Sequence, residues 1–423
     1  MHFGIFTYGS RGDVQPYVAL ALGLMSQRDE VTLFAPENFR EFVESYGVRF
    51  GPLYGDAEAI LHAEDGLKAL DSGNVVSLLR LMAKASKEIQ PRVNRDLLAG
   101  SETVDVLIAN VLCLYWIQCI AEKLNKPWAV LQVSLPSTPT REFPFAGLAF
   151  LHAPWYNRFS HQLIRYIYWR LNKKAVNDFR KELSLPPVSK NPLDAPDAIH
   201  ALNLYAISPS MVPRPKDWPA NTAVTGFIQL SSSQRARSPM NEIPAPLQAW
   251  LRAYPRPVYI GFGSIPVANA ARMGHIIMDI LSSSDFPILF ARGWSSTVSW
   301  PAHPRLFVID QVNHEWLFPQ CRAVVFHGGV GTMAAALKAG VPMVILSVFV
   351  DQPWWGQLIQ KQKLGIHLPF KKIGSSSLLK AIKKTEQPEI REQVADMRER
   401  LAGENGIELA LELVRSYFLK KQD

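Results

Sequence analysis

The sequence predicts an α/β protein of two domains, each built on a parallel β-sheet, and three observations support this fold class. The chain has 423 residues, more than one hydrophobic core comfortably supports. Short runs rich in β-branched and aromatic residues alternate with helical patterns, as in βα units. A stretch rich in Ser, Pro and charged residues, Gln229–Pro246, separates two similar halves and is typical of a linker.

Apolar runs place the strands of the two halves. The first half has predicted strands at Phe3–Tyr8, Val31–Ala35, Asp105–Asn110 and Trp128–Ser134. The second has predicted strands at Val258–Phe262, Ile288–Ala291, Leu306–Ile309, Ala323–His327 and Met343–Ser347. We expect domains at residues 1–230 and 246–404. The C-terminal segment 405–423, with a helix at Ile407–Phe418, should pack back on the first domain because its apolar residues need a partner surface.

Composition and charge exclude some classes of function. Hydrophobic residues make up 48% and charged residues 19% of the chain, which indicates sizeable cores rather than disorder. The net charge is +8, but no sustained run of Lys and Arg marks a nucleic-acid groove. We therefore expect no nucleic-acid partner.

Targeting signals are not apparent, and we expect a cytoplasmic protein. The N-terminal residues show neither the basic segment nor the cleavage site of a signal peptide. The apolar run Val106–Ala121 is short for a membrane span and contains Asn110 and Gln118, so it predicts a buried strand followed by a helix. The three cysteines show no metal-ligand spacing and fit a reducing compartment.

Glycine-containing turns follow the first strand of each half, in "FTYGSRGD" and in "YIGFGSIP". Both turns lie at the carboxyl end of an apolar strand, where open α/β sheets bind ligands. Glycine is also common in any tight βα turn, so either motif alone is equally compatible with a purely structural role. Two such turns heading two similar halves suggest that both face one cleft.

The segment "HGGVGT" predicts a phosphate site. His327, Gly328 and Gly329 follow a buried strand, so the backbone can come close to a ligand. Gly331 and Thr332 then start a helix whose N-terminal N–H groups, with a hydroxyl and an imidazole nearby, suit an anion. The Gly-Lys-Ser/Thr ending of a P-loop is missing. The anion is therefore predicted to be a diphosphate held mainly by backbone dipoles.

Asp351 and Gln352 follow the next strand, beside the predicted phosphate turn. A carboxylate and an amide offer acceptors and donors for hydroxyl groups, which suggests a sugar attached to the diphosphate. The alternative is that Asp351 only caps the next helix. Of the adjacent Trp354 and Trp355, at least one is predicted to pack in the core.

Together, "HGGVGT", "AALKAGVP", "DQPWWG" and "GSRGDVQPYVALA" resemble the GT-B glycosyltransferases of the UDP-glycosyltransferase superfamily. The likeness is to the sterol glucosyltransferase-like branch, which also includes bacterial enzymes acting on natural products. It implies two Rossmann-like domains facing across a cleft, and an inverting transfer from a nucleotide sugar to an acceptor hydroxyl.

The resemblance also implies roles for individual residues. The phosphate motif of the family corresponds to His327, Gly328, Gly329, Gly331 and Thr332, and its sugar-reading pair to Asp351 and Gln352. Ser264 matches a second phosphate contact, whereas Trp294 and the backbone near Val312 fall where the base is usually held. No cofactor or metal ion is expected, because the helix dipole, His327 and Thr332 would meet the charge of the leaving group.

One position departs from the plant members of the family. Ala335 stands eight residues after His327, where those relatives place a glutamate that holds the ribose hydroxyls. Without this carboxylate, UDP and dTDP donors are poorly separated, and the choice between them stays open. UDP-glucose is the preferred donor.

The turn "GSRGDVQP" supplies a candidate base at Asp13. An alcohol needs its proton removed as it attacks the anomeric carbon, and a carboxylate at this turn can take it. The resemblance agrees, since the sterol-like branch has aspartate at this position. The alternative is an N-cap for a helix at Val14–Met25. Arg11 is expected to make a structural or phosphate contact, and Gly9, Ser10 and Gly12 complete the turn.

The segment Arg141–Leu183 carries the acceptor side of the prediction. Several cationic residues surround apolar residues that recur at helical spacing. The apolar residues are Phe159, Leu163, Ile167 and Leu171. One interpretation is an ordinary amphipathic helix that packs on the core. The other is a lip, at about residues 155–181, that lies on the inner face of the membrane and admits a lipophilic acceptor.

Three other classes of function are alternatives for this sequence. A nucleotide-sugar epimerase can share the two-domain architecture, but it needs acids on both sides of the donor sugar. A Rossmann oxidoreductase needs Gly-x-Gly-x-x-Gly after the first strand, and "GSRGDV" lacks that spacing. A non-catalytic protein that binds nucleotide sugars remains an alternative, against which Asp13 argues weakly.

Overall fold

The structure is a computed structural model that divides into two compact units. It describes residues 1–56, 59, 65–66, 75–134, 136–148, 151–194, 201–238, 242–263, 270–293, 300, 302–348 and 351–419. The first unit comprises Met1–Asp56, Ser86–Arg237 and Glu404–Asp423, and the second comprises Ala57–Ala85 and Ser238–Gly403. The C-terminal residues therefore belong with the N-terminal unit.

The first unit contains a parallel sheet in the order β3-β2-β1-β4-β5-β6-β7. Its strands are β1 (His2–Phe6), β2 (Glu30–Pro36), β3 (Arg49–Leu53), β4 (Val106–Ala109), β5 (Trp128–Gln132), β6 (Leu202–Tyr205) and β7 (Thr222–Val224). The four predicted strands are confirmed. Strands β3, β6 and β7 were not predicted, because the first contains Gly and Pro and the other two are very short.

The second unit contains a parallel sheet in the order β10-β9-β8-β11-β12-β13. Its strands are β8 (Val258–Gly261), β9 (Ile288–Ala291), β10 (Leu306–Ile309), β11 (Ala323–Phe326), β12 (Met343–Ser347) and β13 (Gly365–Pro369). The five predicted strands are confirmed, and the edge strand β13 was missed. In both sheets the order reverses between the unit's first strand and a later neighbour, β1 beside β4 and β8 beside β11. Ligands of open α/β sheets bind at such switch points.

Helices connect the strands in both units. In chain order they are α1 (Arg11–Ser26), α2 (Arg40–Glu44), α3 (Val75–Glu102), α4 (Leu114–Leu124), α5 (Pro154–Glu182), α6 (Ser232–Arg235), α7 (Ala245–Ala253), α8 (Ala270–Ser283), α9 (His314–Leu317), α10 (Val330–Ala339), α11 (Gln352–Lys361), α12 (Ser375–Lys384), α13 (Pro388–Ala402) and α14 (Gly406–Leu419). The run Val106–Ala121 forms β4 and most of α4, as predicted. Across the described residues, no helix is both long and apolar enough to cross a membrane.

The C-terminal helix α14 completes the core of the first unit. Leu411, Val414 and Phe418 are buried among the residues of β1 and α1. A Cβ added at Gly23 of α1 would lie 2.9 Å from a methyl carbon of Leu411, so glycine lets the two helices approach closely. The ring of Phe418 also meets Phe3 of β1 edge to face, with centroids 6.4 Å apart. The last helix therefore closes one side of the N-terminal sheet.

Helix α5 packs on the core, as one of its two interpretations has it, but through Trp169, Val176 and Phe179 and not through the predicted apolar stripe. Phe159, Ile167 and Leu171 are 49%, 43% and 77% exposed, and Leu163 is only half-buried. The buried side chains of the helix are Asn157, Ser160, His161, Trp169, Val176, Phe179 and Arg180. The first three of these are polar, and each forms a hydrogen bond with the backbone of the preceding segment, at Arg141, Phe145 and Phe143.

Candidate functional site

In the second unit, β11 leads into the turn of the predicted phosphate site. Gly328 has a φ of +104°, a conformation that favours glycine, and a Cβ there would lie 3.1 Å from carbons of both Ile345 and Gln352. The N-cap of α10 is Gly329, which has no side chain to occupy the helix N-terminus. The C-cap is Gly340, in the left-handed conformation. The turn therefore brings bare backbone to the N-terminus of a helix, which carries partial positive charge.

His327 lies against this turn and against the neighbouring one. A Cβ added at Gly329 would lie 2.6 Å from His327 Nε2, and one added at Gly263 would lie 3.3 Å from His327 Cε1. Burial lowers the pKa of His327 to about 4, so the imidazole is neutral near pH 7. Its Nδ1 is buried and accepts or donates no hydrogen bond within the described part of the chain. The ring thus has hydrogen-bonding capacity that the described protein groups leave unused.

Two further turns lie beside the one after β11, at the carboxyl edge of the second sheet. Gly263 follows β8 and Gly293 follows β9, with φ values of +56° and +52°. A Cβ at Gly293 would lie only 2.2 Å from the carbonyl oxygen of Gly263, so the two turns are in close contact. Ser264 and Trp294, the predicted phosphate and base contacts, come directly after these glycines and lie outside the described residues.

Asp351 and Gln352 are held by hydrogen bonds at the start of α11. Gln352 Oε1 accepts from the backbone N–H of Val348 at 2.8 Å, and its side chain is buried. Asp351 stands at the N-cap position but makes no side-chain capping bond, so the alternative that it only caps the helix is wrong. Instead, Asp351 Oδ2 accepts from the indole N–H of Trp355 at 3.1 Å. Trp355 is fully buried, which confirms the prediction that one tryptophan packs in the core.

The remaining predicted donor residues lie on the same edge of the second sheet. Gly331 is exposed in the first turn of α10, and a Cβ there would meet no atom within 4 Å. Thr332 follows it and is half-buried. Val312, also half-buried, follows β10 and precedes Asn313, whose Oδ1 accepts from the N–H of Glu315 at 3.0 Å. Of these positions, Gly331 leaves open space beside the first turn of α10.

In the first unit, Ser10 and Asp13 share the turn after β1. Helix α1 starts at Arg11, and Ser10 is its N-cap, so the alternative that Asp13 is the N-cap is wrong. Asp13 Oδ2 accepts from the backbone N–H of Ser10 at 2.8 Å and from its hydroxyl at 3.0 Å. Burial raises the pKa of the Asp13 carboxyl, while these two hydrogen bonds oppose the shift. A carboxylate with a raised pKa is a stronger base.

The other residues of this turn shape it. Gly9 has a φ of +130°, and a Cβ there would lie 2.4 Å from Asp13 Oδ2. The N–H of Gly12 donates to the hydroxyl of Ser10 at 3.2 Å. The guanidinium of Arg11 stacks over the ring of Phe42, 4.7 Å from its centroid, and burial lowers its pKa. Arg11 thus makes the structural contact that was one of its two predicted roles.

Sequence reasoning missed two polar residues beside this turn. Thr7 and Asn110 follow the neighbouring strands β1 and β4, and both side chains are buried. Asn110 Nδ2 donates to the carbonyl of Tyr8 at 2.7 Å and to the hydroxyl of Thr7 at 3.2 Å. A signal was available, since the carboxyl ends of adjacent parallel strands meet at one sheet edge. Asn110 had been assigned only to the end of a strand.

Comparison with solved structures defines the class. The glycotransferase of kitacinnamycin superposes with a TM-score of 0.69 at 17% identity, over 98% of both chains. The glycosyltransferase SsfS6 of Streptomyces sp. SF2575, solved with thymidine diphosphate, superposes with a TM-score of 0.62 at 17% identity over all of both chains. Two Rossmann-like units with parallel sheets and these neighbours define the GT-B fold, as the sequence predicted.

Comparison with sequences defines the family. The glycosyltransferase family 28 N-terminal domain matches residues 3–144, and the erythromycin biosynthesis protein CIII-like C-terminal domain matches residues 277–414. Sterol 3-beta-glucosyltransferase UGT80A2 of Arabidopsis thaliana is 35% identical over 378 residues, 86% of this chain and 57% of that one. UGT80B1 of the same plant is 33% identical over 427 residues, 97% of this chain and 67% of that one. The chain therefore belongs to the family of the sterol 3-beta-glucosyltransferases. It spans only part of the length of these relatives.

Proposed function

We propose that the protein moves glucose from UDP-glucose to a hydroxyl group of a lipophilic acceptor, with inversion and with Asp13 as general base. The observation that carries the proposal is the turn after β11, where His327 and Gly329 present a neutral imidazole and a helix N-terminus side by side. Such a site suits the diphosphate of a nucleotide sugar. The names of the sterol 3-beta-glucosyltransferases and the thymidine diphosphate complex of SsfS6 support this class of donor.

The donor is proposed to bind with its diphosphate over the N-terminus of α10. Backbone N–H groups near Gly331, the Thr332 hydroxyl and the His327 ring would then meet the charge that develops on the leaving group. Asp351 and Gln352 would read the sugar hydroxyls, and their hydrogen bonds to Trp355 and Val348 fix them in advance. No metal ion is required in this scheme. UDP is preferred over dTDP as the nucleotide of the donor.

Asp13 is proposed to remove the proton of the acceptor hydroxyl. One carboxylate oxygen, Oδ2, accepts from Ser10, and the other, Oδ1, would face the acceptor hydroxyl. The acceptor oxygen would give its proton to Asp13 as it bonds to the anomeric carbon, and the bond from that carbon to the diphosphate would break. Attack from the side opposite the leaving group inverts the configuration.

The exposed face of α5 supports a lipophilic acceptor presented at a membrane. We define this face by the large side chains that point to solvent along the helix: Trp155, Phe159, Tyr166, Ile167 and Leu171. The helix carries seven cationic and two acidic side chains, although the whole chain has a net charge of only +8. Arg170 and Lys174 follow Tyr166 and Ile167 by four and seven residues, so they share the side of the apolar face. An apolar face with cations beside it suits the surface of an anionic bilayer.

The transfer reaction can be tested with labelled UDP-glucose and dTDP-glucose in separate reactions. Each donor is offered a sterol, a long-chain alcohol and glycerol, all in the same detergent. We expect a glucoside from UDP-glucose and a lipophilic acceptor, with inverted configuration and with little product from glycerol. Nucleotide binding without transfer to any alcohol would instead favour the binding-protein alternative. Isomerisation of the donor sugar without an acceptor would favour an epimerase.

Membrane contact can be tested by sedimentation with vesicles. The wild type should bind vesicles containing phosphatidylglycerol at least about tenfold better than vesicles of phosphatidylcholine alone, because anionic lipid attracts cationic helices. Combining Phe159→Glu with Leu171→Glu should remove most of this binding. Leu409→Glu on α14, at a position 37% exposed, is a matched control that should bind as the wild type does. Equal sedimentation of all three proteins would exclude α5 as the contact surface.

A further inference from the structure

Asn110 occupies a buried position at the switch point of the first sheet, where β4 lies beside β1. The residue is 2% exposed, and every hydrogen-bonding site of its side-chain amide has a partner. Its Oδ1 accepts from the N–H groups of Leu112 and Cys113, each at 3.1 Å, and so caps the helical turn that follows β4. Its Nδ2 donates to Tyr8 and Thr7, as described above. One amide thus joins the loops that follow two neighbouring strands.

Thr7 connects Asn110 to the backbone of Asp13 through hydrogen bonds. Its side chain is fully buried, and its hydroxyl donates to the backbone carbonyl of Asp13 at 2.6 Å. Its own N–H donates to the carbonyl of Phe34 in β2 at 2.9 Å, which fixes Thr7 to the sheet. The backbone of Asp13 is therefore tied through Thr7 to Asn110, and its carboxylate is tied to Ser10. Few rotations remain by which the carboxylate could move.

We propose that Asn110 is a positioning residue for Asp13: it holds the turn after β1 so that the carboxylate stands at the place where the acceptor loses its proton. This inference rests on the proposed role of Asp13 as base. Asn110 is buried, so it would act through Asp13 and not on the substrate directly. A shift of about 1 Å in a reacting group can cost on the order of 100-fold in rate, so small changes at Asn110 should be visible in turnover.

An amide suits this position better than a carboxylate would. Tyr8 offers a carbonyl, which only accepts, and the Thr7 hydroxyl has given its own proton to Asp13. Both therefore need a donor, while the N–H groups of Leu112 and Cys113 need an acceptor. Asparagine supplies donors and acceptor together, whereas ionised aspartate supplies only acceptors. Asn110→Asp would keep the cap and lose the link to the turn, which separates the two tasks of the residue.

The test is a double-mutant cycle between Asn110 and Asp13, measured as transfer to a lipophilic alcohol in detergent. If Asn110 acts through Asp13, Asn110→Ala and Asn110→Asp should each lower kcat by roughly 10- to 100-fold, with KM for the donor within about twofold of wild type. In an Asp13→Asn background, the same substitutions should change kcat by less than about twofold, because the group they position is gone.

A matched control comes from another asparagine of the same unit. Asn177 also bonds to backbone in both directions, donating to the carbonyl of Val188 at 3.0 Å and accepting from its N–H at 2.8 Å. Asn177→Ala should lower the melting temperature about as much as Asn110→Ala does, and it should keep the wild-type kcat. Thr7→Val, nearly the same shape as threonine, removes the donor to Asp13 and should reproduce the loss of kcat if Asn110→Ala does not fold.

The outcomes are distinct. Equal losses of kcat in the wild-type and Asp13→Asn backgrounds, or a wild-type kcat in both Asn110→Asp and Thr7→Val, would overturn the positioning role. Retention of wild-type turnover by Asp13→Asn alone would instead remove the proposed base. The first result leaves the proposed function standing, and the second does not.

Discussion

Ser10 and Asp13 bond to each other in both directions at the start of α1. The N–H and hydroxyl of Ser10 donate to Asp13 Oδ2, at 2.8 and 3.0 Å, and the N–H of Asp13 donates to the carbonyl of Ser10 at 2.8 Å. Ser10 also caps the first turn of the helix. The carboxylate oxygen Oδ2 of Asp13 therefore takes part in the cap of the helix. Because a structural contact and a catalytic contact need not compete for the same atom, the pair allows Asp13 to be both part of the cap and the proposed base.

Asp13→Asn and Asp13→Ala should separate these two roles. Asparagine keeps an oxygen that can accept from the Ser10 N–H, so the melting temperature should not fall, while turnover should fall by about 10² to 10⁴, the usual contribution of a positioned base. Alanine removes both hydrogen bonds and should also cost about 1 kcal/mol of stability. Thermal melting and steady-state rates of both variants are the measurements. Near wild-type turnover of the asparagine variant would exclude Asp13 as the base.

The raised pKa of Asp13 predicts opposite effects of pH on activity and on stability. The base acts only when ionised, so kcat/KM should fall as pH falls through the pKa in the folded protein, which burial places above the ordinary value of 3.8. Because folding raises this pKa, protonation favours the folded state. Its stabilising effect is full below the unfolded pKa and is lost as pH rises through the folded pKa.

The comparison with Asp13→Asn reveals the stability effect. The asparagine variant carries no buried charge, so it should gain stability relative to the wild type as pH rises through the same window in which wild-type activity appears. Chemical unfolding of both proteins at a series of pH values gives the difference. A constant difference across the series would contradict the assignment of a raised pKa to Asp13.

Much of this arrangement could be predicted from the sequence, and the parts that could not have physical reasons. The turn after β11 was predictable because a continuous apolar strand is followed directly by two glycines, which indicate a close approach of the backbone to another group. Strand β3 was not, because "RFGPL" lies at the sheet edge and tolerates Gly and Pro. The link from Asn110 to Asp13 depends on which strands are neighbours, and a single apolar run does not contain that information.

Helix α5 shows why periodicity alone fails. The spacing of Phe159 and Leu171 correctly placed them along one side of a helix, but it did not say whether that side faces the protein. Polar side chains near the start of the helix help to decide this: Asn157 Nδ2 donates to the carbonyl of Arg141 at 2.8 Å, and Ser160 Oγ accepts from the N–H of Phe145 at 2.8 Å. These bonds satisfy the backbone of a segment without regular structure, so the polar side is turned inward.

His327→Ala should weaken binding of UDP by roughly 1.5 to 3 kcal/mol, the range for a hydrogen bond to a charged group. The neutral imidazole can donate to the diphosphate from a ring N–H without repelling nearby cations. His327→Gln keeps a donor and should lose less. His275→Ala, at an exposed position on α8, is the control and should bind UDP as the wild type does. Calorimetry that finds equal affinities for the wild type and His327→Ala would remove this residue from the donor site.

Removal of divalent metal ions should leave the transfer reaction nearly unchanged. The charge on the leaving diphosphate is proposed to be met by the N-terminus of α10 and by His327, which are fixed parts of the protein. Rates measured after dialysis against EDTA should stay within about twofold of the untreated enzyme, and added Mg²⁺ should not raise them further. A large loss that Mg²⁺ restores would show that a metal ion carries this charge.

Gly331 and Gly328 offer a final test of where the diphosphate lies, because one methyl group should act differently at each. Gly331 faces open space, and alanine forms helices better than glycine by about 1 kcal/mol, so Gly331→Ala should melt at or above the wild-type temperature. Its methyl would nevertheless stand over the helix N-terminus and should weaken UDP binding about tenfold or more. Gly328→Ala forces a φ of +104° on alanine and crowds Ile345 and Gln352 at 3.1 Å, so it should lower the melting temperature itself. If Gly331→Ala binds UDP as tightly as the wild type, the diphosphate does not sit at the start of α10.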